Sequence, residues 1–354
     1  MTRLRLTVPV LCVVILVGCI CATGQTRLTA AGPTYAKVGE IQVGGGGGWD
    51  YLAVDSGANR LYVSHGTEVV VIDTATNTVV GRIADTPGVH GIAIVPSLGR
   101  AFTTNGREDK VGIVDLKTLQ TSSKVATGAN PDAIVYEPKQ KEIYALNHTG
   151  HSATVINPET GVVIATIPLA GTAESGAADP GLGRVFVNIE DKNSVDVIDV
   201  AKHAVVGNWP VAPAEEPTGM AIDPPSHRLF VGGGKSLVMI DDTTGKVVTS
   251  VPICTGTDAT FFDPGSKLVF ASCSDGHVTI AHMDSPSKLT VVQTLETAPR
   301  SRTMALDPAT HRIYLSAVKL PPPDPNGAPP AAGQRGRGPA PIADSFHVLV
   351  FAPQ

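Results

Sequence analysis

The sequence is poor in the residues that most often announce a chemistry. Aromatic residues make up 5% of the chain and only two are tryptophan, too few to lay out a stacking platform for single-stranded nucleic acid. Charged residues make up 17%, the formal net charge is −5 and no long basic run occurs, which counts against binding led by nucleic-acid phosphates. There is no Cys-x-x-Cys, no Cys-x-x-Cys-His haem site and no Cys/His spacing of a zinc site. Gly-x-Ser-x-Gly and His-Glu-x-x-His are also missing, so no local nucleophile or metalloprotease motif points to a reaction. No stretch carries the 3.6-residue apolar period of an amphipathic helix.

What is present begins with an export signal. Arg3 and Arg5 precede an apolar run from Leu6 to Ile20, broken by Thr7, Pro9 and Gly18 and followed by small and polar residues. The run is short for a membrane span of about 20 residues. Residues 1–24 read as a signal removed on export, either cut near Ala22-Thr23-Gly24 or processed at Leu16-Val17-Gly18-Cys19. The second matches a lipobox and would lipidate Cys19. Either route places the mature protein in the periplasm, outside the cell or on an outer surface as a lipoprotein, with no transmembrane span. Cys12, Cys19 and Cys21 fall in this region, leaving Cys254 and Cys273 free to form a disulfide in an oxidising compartment.

Beyond a linker at 25–36 the chain repeats itself. Residues 49–90 hold four short β-rich runs, LAV, RLYV, VVVI and TVVGRI, separated by Asp/Asn/Gly/Thr turns. The residue closing the first run recurs as Asp55, Val95, Glu137, Asp179, Asp223, Asp263 and Asp307, at spacings of 40 to 44 residues. Second runs align as RLYVS, RAFTT, EIYAL, RVFVN, RLFVG, KLVFAS and RIYLS; third runs as VVVID, VGIVD, ATVIN, VDVID, LVMID, VTIAH and HVLVF. Units of four strands in about forty residues predict an all-β, seven-bladed β-propeller over 37–354. The last unit lacks a fourth strand, and KVGEIQV at 37–43 resembles the fourth strands elsewhere. It is therefore expected to pair with 346–351 and close the ring, removing two open sheet edges. The Pro/Gly-rich insertion at 319–345 cannot build a core; it is a flexible loop or a cover over one face.

The segment LYVSHGTEVVVIDTATNTVVGRI and its six counterparts resemble the YVTN-type repeat of YncE-like proteins. The resemblance covers nearly the whole chain from about Lys37. It implies a secreted or periplasmic seven-bladed propeller and implies little about chemistry, since the motif residues are structural. Units two, six and seven depart from it, with Val95 for Asp, and His282 and Phe351 where Asp is expected.

In such a ring the first strand of each blade lines a central channel, which sorts the polar residues by face. Asp73, Asp115, Asp199 and Asp241, with Asp55, Asp179, Asp223, Asp263 and Asp307, fall in turns on one face and read as turn-shaping residues. His227 and His311 stand beside them and read as exposed. The run Gly44–Gly48 leads into a strand and lacks a Gly-Lys-Ser/Thr ending, so it is not a phosphate loop. The opposite face differs. Five residues before each repeat anchor stand Asp50, His90, Asp132, Glu174, Thr218, Asp258 and Arg302, six of them ionisable. His65, Asn105, Asn147, Asn188, Gly233, Ser272 and Ser316 belong to the neighbouring loops, with Glu190, Asp191, Glu215 and Glu216 close by.

This inventory predicts a polar channel mouth that binds a ligand. Asp50, His65, His90, Asn105, Asp132, Asn147, Glu174, Asn188, Glu216, Asp258 and Arg302 are the candidate residues. Like charges round a narrow opening repel, so a divalent cation or a cationic small molecule suits them. A ligand-binding or protein-interaction module, monomeric and serving a small polar ligand or a cell-envelope partner, is the first expectation. The alternative is a metal-assisted hydrolase or lyase of the lactonase kind, with His65 or His90 as base.

Overall fold

A computed structural model describes residue 1, residues 33–322 and residues 339–354. The segment expected to be an export signal, with Cys19, most of the 25–36 linker and the centre of the 319–345 insertion lie outside the described residues. Among the described residues no helix is long and apolar enough to cross a membrane.

Seven antiparallel sheets of four strands follow one another along the chain. Blade 1 shows how the sequence builds one. Its middle strands, Arg60–His65 and Glu68–Asp73, are continuous apolar runs because both of their faces are covered. Leu61, Val63, Val70 and Ile72 pack towards blade 7, while the alternate residues Tyr62, Val69 and Val71 pack towards blade 2. The outer strand, Thr78–Ile83, alternates exposed and covered residues, as a strand wet on one side should. Among the described residues there is accordingly no single core. Seven hydrophobic clusters each lie between adjacent blades, as between Phe186 and Val197 of blade 4 and Leu229 and Ile240 of blade 5.

Ring closure is as the repeat requires. Strand Tyr35–Gln42 pairs antiparallel with His347–Pro353, from Tyr35 opposite Pro353 to Gln42 opposite His347, and completes the sheet of Met304–Asp307 and Arg312–Ala317. The strand starts at Tyr35, two residues before the expected Lys37, and Tyr35 is its anchor. The phenol is buried edge-on to Phe270 at 5.1 Å and donates to the carbonyl of His311 at 2.7 Å. Gln293 of blade 6 holds both its backbone N–H (2.7 Å) and its carbonyl (2.8 Å).

The feet of the 319–345 insertion are tied down. Lys319 and Ile342 bond through their backbones at 2.8 Å, and Gly44 donates to the carbonyl of Phe346 at 2.9 Å. The glycine run and the base of the insertion therefore share one corner between blades 7 and 1.

Candidate functional site

The channel mouth owes its polar lining to a recurrent irregularity. In six blades the register of the first strand against the second slips where the strand begins: between Trp49 and Leu52, Val89 and Ile92, Pro131 and Ile134, Ala173 and Gly176, Pro217 and Gly219, and Thr257 and Ala259. Asp50, His90, Asp132, Glu174, Thr218 and Asp258 each fall inside such a bulge. A bulge breaks the ladder and re-aims a side chain, here towards the axis. Hydroxyls on the second strand take up amides freed there: Ser64 accepts from Asp50 N–H at 2.9 Å and Thr104 from Gly91 N–H at 2.7 Å.

Two adjoining cavities result. A recess of about 190 Å³ is lined by Asp50, Tyr51, His90, Asn130, Asp132, His148, Glu174, Asp258 and Arg302. A wider cavity of about 1020 Å³ shares His148, Glu174, Asp258 and Arg302 with it and adds Glu190, Glu215, Glu216, Lys235 and residues around Thr255–Gly256. Together the walls carry seven carboxylates (Asp50, Asp132, Glu174, Glu190, Glu215, Glu216, Asp258) and four basic groups (His90, His148, Lys235, Arg302).

The charged groups of the recess interlock. His90 Nδ1 lies 2.6 Å from Asp50 Oδ2 and 3.0 Å from Asp132 Oδ1, joining blades 1, 2 and 3. His148 Nδ1 lies 3.1 Å from Glu174 Oε1 and 3.2 Å from the carbonyl of Ala173. Arg302 Nε lies 3.1 Å from Asp258 Oδ2, joining the adjacent blades 6 and 7. Burial and then the charges of Asp50 and Glu174 push the Asp132 carboxyl well above the usual range, against the pull of His90 and His148. Burial likewise lifts Asp258 to about 7, although Arg302 opposes it. The hydrogen bond to Glu174 is the main reason His148 is held up to about 9. Burial lowers His90, but the bond to Asp50 and the charge of Asp132 leave it raised overall. The recess thus holds two imidazoles inclined to charge beside two acids disinclined to.

Tyr51 and His148 were not among the residues singled out from sequence. Tyr51 lines both the recess and a cavity of about 320 Å³ in the channel below it, and packs against the cluster between blades 3 and 4, across the ring. A signal for it was present. The equivalent positions are Gly91, Ala133, Ser175, Gly219 and Ala259, all small and all lining the channel, so one phenol can cross the axis and floor the mouth. His148 directly follows Asn147 in a loop already assigned to this face.

Four sequence-derived candidates lie elsewhere. His65 is buried, stacked on Phe346 with ring centroids 4.2 Å apart and an angle of 4°, and covered by Gly45; burial lowers its pKa. It pins the corner under the glycine run and does not reach the recess. Asn105, Asn147 and Asn188 end second strands inside the blades and are fully buried. Asn105 bonds Glu108 at 2.9 Å, Asn147 bonds Ser152 and Thr154 at 3.0 Å each, and Asn188 reaches the carbonyl of Gly219 at 3.1 Å in the next blade. A side chain at the end of a strand buried on both faces meets the neighbouring strand or blade before it meets the channel. Glu216 lines the wider cavity, whereas Asp191 pairs with Lys192 and accepts from Thr172 N–H.

Cys254 and Cys273 form a disulfide with Cα atoms 5.8 Å apart. It braces the loop whose next residues, Thr255 and Gly256, line the wider cavity.

On the opposite face the turn carboxylates behave otherwise. Asp241 accepts from Thr243 and Thr244 through both amides and both hydroxyls, at 2.5 to 3.1 Å, and the Thr243 hydroxyl above all lowers it to about 2. Asp73 is lowered by the Thr76 amide and then Arg60, Asp115 by the amide and hydroxyl of Thr118, and Asp199 above all by the bond to the Lys202 ammonium. The neighbouring histidines are more than exposed groups: His227 Nδ1 meets the fully buried Asp242 at 3.1 Å, and His311 Nδ1 the fully buried Asp263 at 2.7 Å. Asp242 is an exception to the lowering. Burial and the charge of Asp179 raise it to about 6.

No family model matches the chain, and a search of curated proteins finds no match. Among solved structures, a chain of the Kuenenia stuttgartiensis hydrazine synthase is similar over 80% of this chain and 94% of its own, with a TM-score of 0.67 and 18% identity. A chain from the crystal structure of a mitotic checkpoint complex is similar over 98% of this chain and 99% of its own, with a TM-score of 0.70 and 15% identity. At these identities the likeness establishes the fold alone.

Proposed function

We propose that the protein is an exported, YncE-like propeller that works as a binding module, and that its ligand is a small polar molecule carrying positive charge, held at the channel mouth. The observation that carries this reading is the convergence of Asp50, His90, Asp132, Glu174, Asp258 and Arg302, from six blades, on one recess that opens into a carboxylate-rich cavity. A rigid ring places these groups without loop rearrangement, which lowers the ordering cost of binding. An incoming cation offsets the mutual repulsion of the carboxylates, while Arg302 and Lys235 give purchase to an accompanying polar or anionic group. Export is supported by the N-terminal signal pattern and by the disulfide, which persists in an oxidising compartment. Monomeric state and any lipid anchor at Cys19 belong to the same reading.

Isothermal titration with choline and with its neutral carbon isostere 3,3-dimethylbutan-1-ol tests it, alongside spermidine and an arginine ester. Saturable binding of cations, absent for the neutral isostere and weakened at least tenfold by Glu215→Gln combined with Glu216→Gln, is the expected outcome. Binding of anions in preference to cations contradicts it. A second reading, metal-assisted hydrolysis or elimination, draws on the two imidazole–carboxylate groups of the recess. Turnover of a γ-lactone with and without added Mn²⁺ separates it from binding alone.

A further inference from the structure

We propose that the smaller recess is a divalent transition-metal site centred on Asp132. Two ligand sets meet there. The donor atoms of Asp50, His90 and Asp132 lie within 4.8 Å of one another, and so do those of Asp132, His148 and Glu174. Metal–ligand bonds of about 2.0–2.2 Å put donors on opposite sides of an ion some 4 Å apart, so either set closes on an ion through small side-chain rotations. Asp132 belongs to both sets, so an ion held by it would find its remaining ligands in either set.

The donor chemistry selects the metal. Two imidazoles and three carboxylates suit Zn²⁺ or Mn²⁺, whereas Ca²⁺ and Mg²⁺ prefer all-oxygen shells. The state of Asp132 points the same way. It is 8% exposed, and its carboxylate lies 3.0 Å from the ring nitrogen of His90 as an ion pair, while the hydrogen bond of that nitrogen goes to Asp50. Buried carboxylates on the other face, such as Asp263, are instead met by turn groups, here Gly265 N–H at 3.0 Å and the Ser266 hydroxyl at 2.5 Å. A buried carboxylate with few such donors is neutralised by a proton or by a bound cation, and the imidazoles and carboxylates gathered round Asp132 are the donor set that holds a cation. The recess also has a way in, because His148 and Glu174 line the wider cavity as well, and an ion there would face whatever occupies it.

This inference rests on the reading of the mouth as a cation site, and the two can fail separately. Tag-free protein with its disulfide intact is dialysed against Zn²⁺ or Mn²⁺, freed of loose metal, and analysed by plasma emission. About one ion per chain is expected, falling below about a tenth in Asp132→Asn and by at least half in His148→Gln, with thermal melts showing that both variants fold. Less than a tenth of an ion on the wild type, or full occupancy in folded Asp132→Asn, overturns the metal site. Choline titration of the chelator-treated wild type then decides the wider reading. Binding that persists leaves that reading standing without the metal, and no binding sinks that reading while the ion count alone decides the metal site.

Discussion

The two faces of the ring put the same residue type to opposite uses. On the turn face Asp241 lies in the hydrogen bonds of its own turn and is lowered to about 2. At the mouth Asp258, from the equivalent ring of repeats, sits in a bulge, loses water and rises to about 7. The difference teaches that a count of carboxylates does not locate a site. What matters is whether the local backbone supplies the donors, as the Asx turns do on one face, or withholds them, as the bulges do on the other.

The comparison can be broken outright, since both faces depend on ring closure. Deleting 35–42 should abolish cooperative unfolding and soluble expression, because it uncovers blade 7 and removes Tyr35 from its seat on Phe270. Deleting 25–33 should leave the melt unchanged; equal damage from both deletions would contradict the closure.

The mouth alone is loosened by removing the disulfide. With a sequence separation of 19 between the paired cysteines, the paired change Cys254→Ser and Cys273→Ser should cost about 3 kcal/mol by loop-closure entropy, read from urea denaturation.

Next comes the exception on the turn face. Asp242 at about 6 binds its proton more tightly folded than unfolded, where an aspartate titrates near 4. Its contribution is therefore fully present below about pH 4 and lost as pH rises through about 6. Asp242→Asn should stabilise the protein by about 2 kcal/mol at pH 8 and by almost nothing at pH 4. A destabilised variant at pH 8 would show the buried pair to be satisfied as it stands.

The smallest effect is the sharpest contrast. Asp241→Ala removes four bonds to its turn and should destabilise by about 1 kcal/mol. Asp132→Asn should be neutral or stabilising by about 1 kcal/mol at pH 8 while impairing cation binding. The same sign for both would erase the distinction between the faces.

Most of the fold was legible in the sequence because each blade repeats the same burial on both sides. Runs such as VVVID and VDVID are continuous where two neighbours cover them, and seven copies average out the departures at Val95, His282 and Phe351. Fixed offsets from the repeat anchor also located Asp50, His90, Asp132, Glu174, Asp258 and Arg302, since equivalent positions in a ring converge. The asparagines misled because these residues turn into the sheet, Asn105 and Asn147 to partners in their own blades and Asn188 to the adjacent one, and polarity alone does not reveal which way a side chain turns. His65 misled because its partner, Phe346, is 281 positions away in the chain. Tyr51 was legible only as a break in a column of small residues, a pattern that emerges once the bulged register is known.

The central claim is that the fold withholds local donors from the mouth carboxylates and supplies them to the turn carboxylates. Carbon-13 NMR titration of aspartate-labelled protein measures this directly, with Asp258→Asn and Asp241→Asn used to assign the two signals. Asp258 should titrate near 7 and shift downward when choline occupies the mouth, with Asp241 near 2 throughout. Two carboxyls titrating together in the ordinary range near 4, unmoved by the cation, would contradict the account.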